Sequence, residues 1–156
     1  MCIRDRYRAK ARGRARVVSA RELDSDPDAI RAVDVVVVDD DDLIATLLID
    51  SISRRGWSVE RLADGNEAVA RLAGPSADLR ARAILLDVDL PGLDGLAVLR
   101  RLAVSNVVVH SRVIMLTARA REDEVVEAFR LGAHDHVAKP FSVPVLIERL
   151  RRVVER

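Results

Sequence analysis

Aromatic residues make up only 3% of this 156-residue chain, so any core must be built from Leu, Val, Ile and Ala. Cysteine is nearly absent as well. Cys2 stands alone, which excludes an internal disulfide framework and fits a reducing compartment. No apolar stretch approaches the roughly 18 residues needed to span a bilayer, and the N-terminus lacks the apolar segment of a secretory signal. The expected location is therefore the cytoplasm, with no membrane partner. The scarcity that says most is that of lysine. Of 26 basic residues only Lys10 and Lys139 are lysine. Arginine evidently serves wherever any surface cation will do, so Lys139 occupies its place for a reason. A compact ammonium on a thin stem suits a tight anionic pocket better than a broad guanidinium fork.

What is present describes one ordinary domain: 49% hydrophobic and 33% charged residues over a length sufficient for a real core. The net charge of +1 hides a split. Residues 1–32 carry nine Lys/Arg against five Asp/Glu, whereas residues 33–156 carry 17 against 20. The basic character thus belongs to an Arg- and Ala-rich leader, residues 1–32, which is expected to be disordered. Its opening Met1-Cys2-Ile3-Arg4-Asp5-Arg6 resembles the translation of a transposon-end adapter used in sequencing libraries. That would make these six residues an artefact of the assembled DNA, and no function is assigned to the leader.

From Val33 the chain alternates regularly. Val33–Val38 reads as a strand, and Leu43, Ile44, Leu47, Leu48 and Ile52 recur at helical spacing up to Gly56. Trp57–Leu62 alternates as a strand, and Asp64-Gly65 turns into a helix with Ala68, Val69 and Leu72 before the Gly74-Pro75-Ser76 break. Ala83–Leu86 is a buried strand, followed by a helix with Leu96, Leu99 and Leu102. Val113–Leu116 is a fourth strand. The next helix has Glu122, Asp123 and Glu124 in its first turn, Val125, Val126 and Phe129 inside, and Gly132 as its stop. Val137-Ala138 is a last short strand, and Ser142 opens a final helix with Leu146, Ile147, Leu150 and Val153. Five βα units imply a doubly wound α/β fold, a five-stranded parallel sheet with helices on both faces.

The four valines Val35–Val38 read as a strand buried on both faces, and they run directly into Asp39, Asp40, Asp41 and Asp42. Asp41 and Asp42 are accounted for as cap and first-turn residues of the following helix. Asp39 and Asp40 are not. Two carboxylates about 4 Å apart repel by roughly 4 kcal/mol even at an effective dielectric of about 20. A hard divalent cation such as Mg²⁺ between them removes the conflict. Strands one, three, four and five end in Asp39-Asp40, Asp87, Thr117 and Lys139, and in a parallel sheet those ends share one edge, where open α/β folds bind ligands. Three carboxylates, a hydroxyl and an ammonium converging there suit a phosphoryl group bound through Mg²⁺, with a carboxylate able to act as nucleophile.

The segments Val38-Asp39-Asp40-Asp41, Leu86-Asp87-Val88-Asp89-Leu90-Pro91-Gly92-Leu93-Asp94-Gly95, Leu116-Thr117-Ala118-Arg119 and Ala138-Lys139-Pro140-Phe141 together resemble the receiver domain of two-component response regulators, over residues 33–156. The resemblance implies a CheY-like, flavodoxin-like sheet in the order 2-1-3-4-5. It implies that Asp87 is the phosphoacceptor. Mg²⁺ would be held by Asp40, Asp87 and the backbone carbonyl of Asp89, with Asp39 acting through a water. Lys139 would pair with Asp87 and then with the phosphoryl oxygens. Thr117 would donate its hydroxyl to them, Ala118 would leave room for their approach, and Pro140 would follow a cis peptide. The implied partner is a sensor histidine kinase or a phosphotransfer protein. The implied output surface comprises the fourth helix (residues 121–131), the fifth strand and the fifth helix (residues 142–154), through which two copies can pair. Such a domain catalyses only its own phosphorylation and dephosphorylation and is not otherwise an enzyme. Nucleic acid would be met only through an output domain that this sequence does not carry.

Two positions depart from the commonest pattern. His136 stands where the family usually places a Tyr or Phe that swings inward with Thr117 on activation. Asp89 and Arg119 occupy the positions that govern how fast the acyl phosphate is lost, and an acid and a base there would pair across the mouth of the site. His110 and His134 show no ligand spacing and read as loop or strand-edge residues. Two other classes compete. Asp87-Val88-Asp89 also matches the Asp-x-Asp of haloacid-dehalogenase-like phosphatases, but these need a later acidic pair. After Lys139 there are only Glu148 and Glu155, both on a predicted helix. The stretch Ala128-Phe129-Arg130-Leu131-Gly132-Ala133 resembles receivers that precede a winged-helix domain, which would make the chain a truncated DNA-binding regulator.

Overall fold

Val35, Val36, Val37 and Val38 are all fully buried, and they face alternately into two separate cores. That is the signature of a central parallel strand, covered on both faces. The computed structural model describes residues 29–118 and 121–155. Among these the elements run β1 (Arg31–Val38), α1 (Asp42–Arg54), β2 (Val59–Leu62), α2 (Gly65–Leu72), β3 (Leu79–Asp87), α3 (Gly95–Val104), a 3-10 turn (Val107–Val109), β4 (Arg112–Thr117), α4 (Glu122–Leu131), β5 (Asp135–Ala138) and α5 (Val143–Val154). The strands form one parallel sheet in the order β2-β1-β3-β4-β5. This is the doubly wound fold and the strand order expected.

Odd and even strand positions divide the core. Val36, Val38, Ile84, Leu86, Val113 and Met115 pack under α2, α3 and α4, through Ala68, Leu72, Val98, Leu99, Leu102 and Ala128. Val35, Val37, Ala83, Leu85, Ile114 and Leu116 pack under α1 and α5, through Leu48, Ile52, Leu146, Leu150 and Val153. At about 25 cal/mol per Å² of apolar surface, this two-sided burial supplies most of the drive to fold. Helix starts are fixed by side chains: Asp41, Asp64, Asp94 and Ser142 each accept a backbone N–H of the first turn of α1, α2, α3 and α5. The C-terminal stop of α4 is Gly132 at φ 110°, a left-handed value that favours glycine.

The structure revises several boundaries and faces. The β1 ladder starts at Arg31 rather than Val33, with Arg31 opposite Leu79 and Ala32 opposite Arg80. Strand β3 likewise starts at Leu79 instead of Ala83, with Leu79 and Ala81 turned inward and Arg80 and Arg82 outward. Trp57 is buried but precedes the β2 ladder, which begins at Val59. On α1, Leu43 is 79% exposed and Leu47 50%, because only the stripe of Ala45, Leu48 and Ile52 meets the sheet. On α4, Val126 and Phe129, expected inside, are exposed, and Ala128 is the buried residue. His110 closes the 3-10 turn and His134 lies between α4 and β5, both exposed, in keeping with loop positions. Of the leader, residues 1–28 lie outside the described residues.

Candidate functional site at the carboxyl edge of the sheet

Adjacent strands β1 and β3 deliver Asp39 and Asp87 side by side. Asp39 is fully buried and Asp87 is 2% exposed, whereas Asp40 is exposed at the mouth. Carboxylate oxygens of the three residues lie within 4.8 Å of one another. Asp39 Oδ1 accepts the Asp41 amide at 2.8 Å, but Asp39 Oδ2 is buried without a hydrogen-bond partner among the described residues. A buried carboxylate oxygen left so is costly, and a cation beside it removes that cost. The donor set is hard oxygen, anionic and open on one side, which fits Mg²⁺ with retained waters.

Asp87 Oδ1 takes two donors, the Asp89 amide at 3.0 Å and Lys139 Nζ at 3.2 Å. Burial pushes the Asp87 carboxyl up to about 6; the Asp89 amide pulls it back down, the neighbouring Asp39 charge raises it again and Lys139 lowers it. Loss of solvent thus outweighs the ammonium, and a second cation would complete the neutralisation. Lys139 is held on the far side by its backbone, whose amide donates to the Thr117 carbonyl at 2.7 Å. The Lys139–Pro140 peptide is cis, as the resemblance implies.

The loop after β3 is locked by a close approach. A Cβ on Gly95 would fall 2.2 Å from the Asp87 carbonyl oxygen and 2.6 Å from Val88 Cα, so only glycine lets α3 start this near the acceptor strand. The Gly95 amide donates to the Val88 carbonyl at 2.9 Å, closing the loop. Asp89 projects outward, exposed, while its amide serves Asp87. Arg119, expected to pair with Asp89, lies outside the described residues.

Thr117 is 2% exposed at the end of β4. Behind it is a small cavity lined by Thr117, Val88, Leu96, Met115, Ala128, Glu124 and a half-buried His136. Burial lowers the His136 pKa, and Asp135 raises it in partial compensation. The sheet therefore brings together Asp39, Asp40, Asp87, Thr117, Lys139 and, one layer back, His136. Beside the mouth, Ile44, Leu47, Ala118, Pro140, Phe141 and Val143 with Lys139 line an open apolar groove of about 420 Å³. Sequence reasoning missed Arg61. Its Nε and Nη2 reach the Asp39 carbonyl at 3.1 and 3.0 Å, and its Nη1 reaches Asp42 Oδ1 at 2.7 Å.

Residues 35–151 match the response regulator receiver domain. The chain belongs to that family. Among curated proteins, the phosphate regulon transcriptional regulatory protein PhoB of Rhizobium meliloti is 36% identical over 122 residues, covering 78% of this chain and 52% of that protein. The chain spans about half the length of the curated relatives it matches. The receiver domain of the Francisella response regulator 1452 superposes with a TM-score of 0.68 at 30% identity, over 80% of this chain and 98% of that one. The receiver domain of sensor histidine kinase PA1611 from Pseudomonas aeruginosa, with a magnesium ion coordinated in its active site cleft, gives 0.67 at 28% identity, over 81% and 100%. This receiver domain is a phosphoacceptor module of two-component signalling. No helix among the described residues is long and apolar enough to cross a membrane.

Proposed function

We propose that Asp87 is the residue that accepts the phosphoryl group, from a phosphohistidine on a sensor kinase or phosphotransfer protein. The observation that carries this reading is the meeting of Asp87 with Asp39 and Asp40 within 4.8 Å on one side and Lys139 at 3.2 Å on the other. A carboxylate oxygen of Asp87 attacks phosphorus. The P–N bond breaks, and its electron pair leaves with the imidazole, giving an aspartyl phosphate. Mg²⁺, when held by Asp40, Asp87 and the Asp89 carbonyl with Asp39 acting through a water, supplies charge neutralisation of the phosphoryl oxygens. Lys139 shifts its ammonium from Asp87 to the transferred group. Thr117 donates its hydroxyl, and the exposed Ala118 leaves room for the phosphoryl group. The apolar groove between α1 and the β5–α5 loop, with Leu47 half exposed, supports docking of an amphipathic helix carrying the donor histidine.

Asp89 and Arg119 would set how long the phosphate lasts, by controlling the approach of water. Self-catalysed phosphorylation and dephosphorylation would be the only chemistry. The output surface would be α4, β5 and α5, read by a second copy or by an output domain; any contact with nucleic acid would come from such a domain. The working location would be the cytoplasm. The test is phosphorylation by a small acyl phosphate. Acid-labile labelling should require Mg²⁺, vanish in EDTA and vanish in Asp87→Ala. Acid-stable labelling on Ser or Thr, or equal labelling in EDTA, overturns the assignment.

A further inference from the structure

The end of β2 leaves a backbone problem that the side chain of Arg61 solves. In the parallel ladder the Asp39 amide donates to the Leu62 carbonyl at 3.2 Å, so β1 is still paired at Asp39. Strand β2 stops there. Its next amide, that of Ala63, turns away to Glu67 Oε1 at 3.1 Å, while Asp64 caps α2 by accepting the Glu67 amide at 2.8 Å. The Asp39 carbonyl is thus left beyond the last rung, behind a fully buried residue, and such a carbonyl needs a donor. Arg61 supplies two, through Nε and Nη2. The remaining arm of the guanidinium closes on Asp42, the first residue of α1. One planar fork therefore clamps both ends of the turn that carries Asp39, Asp40 and Asp41.

From this geometry we propose that Arg61 is a positioning residue for the cation site: it fixes the Asp39–Asp42 turn so that Asp39 and Asp40 are held in place for Mg²⁺. The proposal rests on the reading of the acidic cluster given above. Two effects of Arg61 oppose each other. A guanidinium near a cation site repels the cation, but a pre-set turn spares the site the cost of ordering its ligands. Here the charge of Arg61 is matched by Asp42 at 2.7 Å and faces the carbonyl side of Asp39, so the pair is close to neutral as seen from the site. Ordering wins. Removal of partners that orient metal ligands commonly weakens metal affinity by tenfold or more. Lysine can replace only part of the clamp, because it keeps the charge but lacks the fork that spans a carbonyl and a carboxylate together.

The experiment is a Mg²⁺ titration of the full chain followed by amide NMR shifts of residues 39–42, with the Mg²⁺ dependence of acyl-phosphate labelling in parallel. Arg61→Ala should weaken Mg²⁺ by about tenfold, and labelling should reach the wild-type maximum at higher Mg²⁺. Arg61→Lys should fall between the two, and it decides the matter if Arg61→Ala does not fold. Arg71→Ala is the control for mere destabilisation. It breaks the contacts of Arg71 with Glu60 and Asp78 on the same flank, away from the acidic turn, and should leave the Mg²⁺ midpoint unchanged. An unchanged or tighter midpoint in the Arg61 variants, or an equal weakening in Arg71→Ala, overturns the role of Arg61 while leaving the acceptor site standing. Wild-type protein that shows no Mg²⁺-dependent shifts at residues 39–42 overturns the cation site itself and the clamp with it.

Discussion

Lys139 Nζ lies 3.2 Å from Asp87 Oδ1, although their strands are not neighbours: β4 runs between β3 and β5. The lysine reaches across the end of β4, where its own amide is tied to the Thr117 carbonyl. Acceptor, cation and hydroxyl residue are thus set by three consecutive strand ends, and none depends on a long loop for its place. The pair is not neutral in effect, because burial of Asp87 and the charge of Asp39 together outweigh the ammonium and the Asp89 amide.

That imbalance makes stability depend on pH. The Asp87 carboxyl stands at about 6 in the folded protein, against an ordinary 3.8. The folded state therefore holds its proton more tightly than the unfolded chain. The stability that this proton contributes is complete below about pH 4 and is lost as pH rises through about 6, an effect of at most roughly 3 kcal/mol. In EDTA, Asp87→Asn should melt several degrees above wild type at pH 8, and the gain should shrink as pH falls toward 4.5. Lys139→Met should move the Asp87 titration upward, seen directly in the carboxyl carbon resonance. Equal melting temperatures of wild type and Asp87→Asn at both pH values would refute the account.

The strand-end residues were readable in the sequence because each follows an apolar run, and period and polarity change together there. The helix faces were less readable. Leu43 and Leu47 form an i, i+4 pair beside that of Ile44 and Leu48, and only contact with the sheet decides which pair is covered. Val126 and Phe129 pose the same ambiguity on α4, where small Ala128 takes the inward position. The early half of β3 hid because Arg80 and Arg82 interrupt it, and their outward alternation becomes plain only once β1 is alongside. Arg61 was invisible for a different reason. Its role arises from the point at which β2 leaves β1, a property of two strands and a helix cap together.

The first ladder rungs bear on where the domain can be cut. Arg31 donates its amide to the Asp78 carbonyl at 2.8 Å, and its Nη1 lies 2.6 Å from Glu60 Oε1. A chain beginning at Arg31 should keep wild-type stability and labelling. One beginning at Val33 loses the Arg31 amide hydrogen bond and, among the described residues, leaves Glu60 with Arg71 alone. The cost should be about 1–2 kcal/mol, a drop of several degrees in melting temperature. Equal melting of the two truncations would show that the Arg31 contacts are immaterial.

His136 is half-buried on β5. Its ring lines the cavity behind Thr117, facing Glu124 from α4, while its own amide donates to Asp135 Oδ1 at 2.8 Å and Asp135 is held by Arg149 of α5. Movement of Thr117 toward a phosphoryl group on Asp87 would open this space, and the imidazole would turn into it. Burial lowers the His136 pKa, more than Asp135 restores, so the neutral ring is the form suited to the slot. The folded protein thus favours unprotonated His136; that contribution is present above the ordinary histidine range near 6.5 and is lost as pH falls through the depressed folded value. Coupling between phosphorylation and the surface of α4, β5 and α5 should weaken in the same window. Measured as amide shifts of residues 121–154 on phosphorylation at pH 8 and pH 5.5, the response should fade at the lower pH in wild type. His136→Tyr should respond equally at both, because a phenol stays neutral throughout. Shifts confined to the loops around Asp87 at either pH, with residues 121–154 unmoved, would remove His136 from the switch.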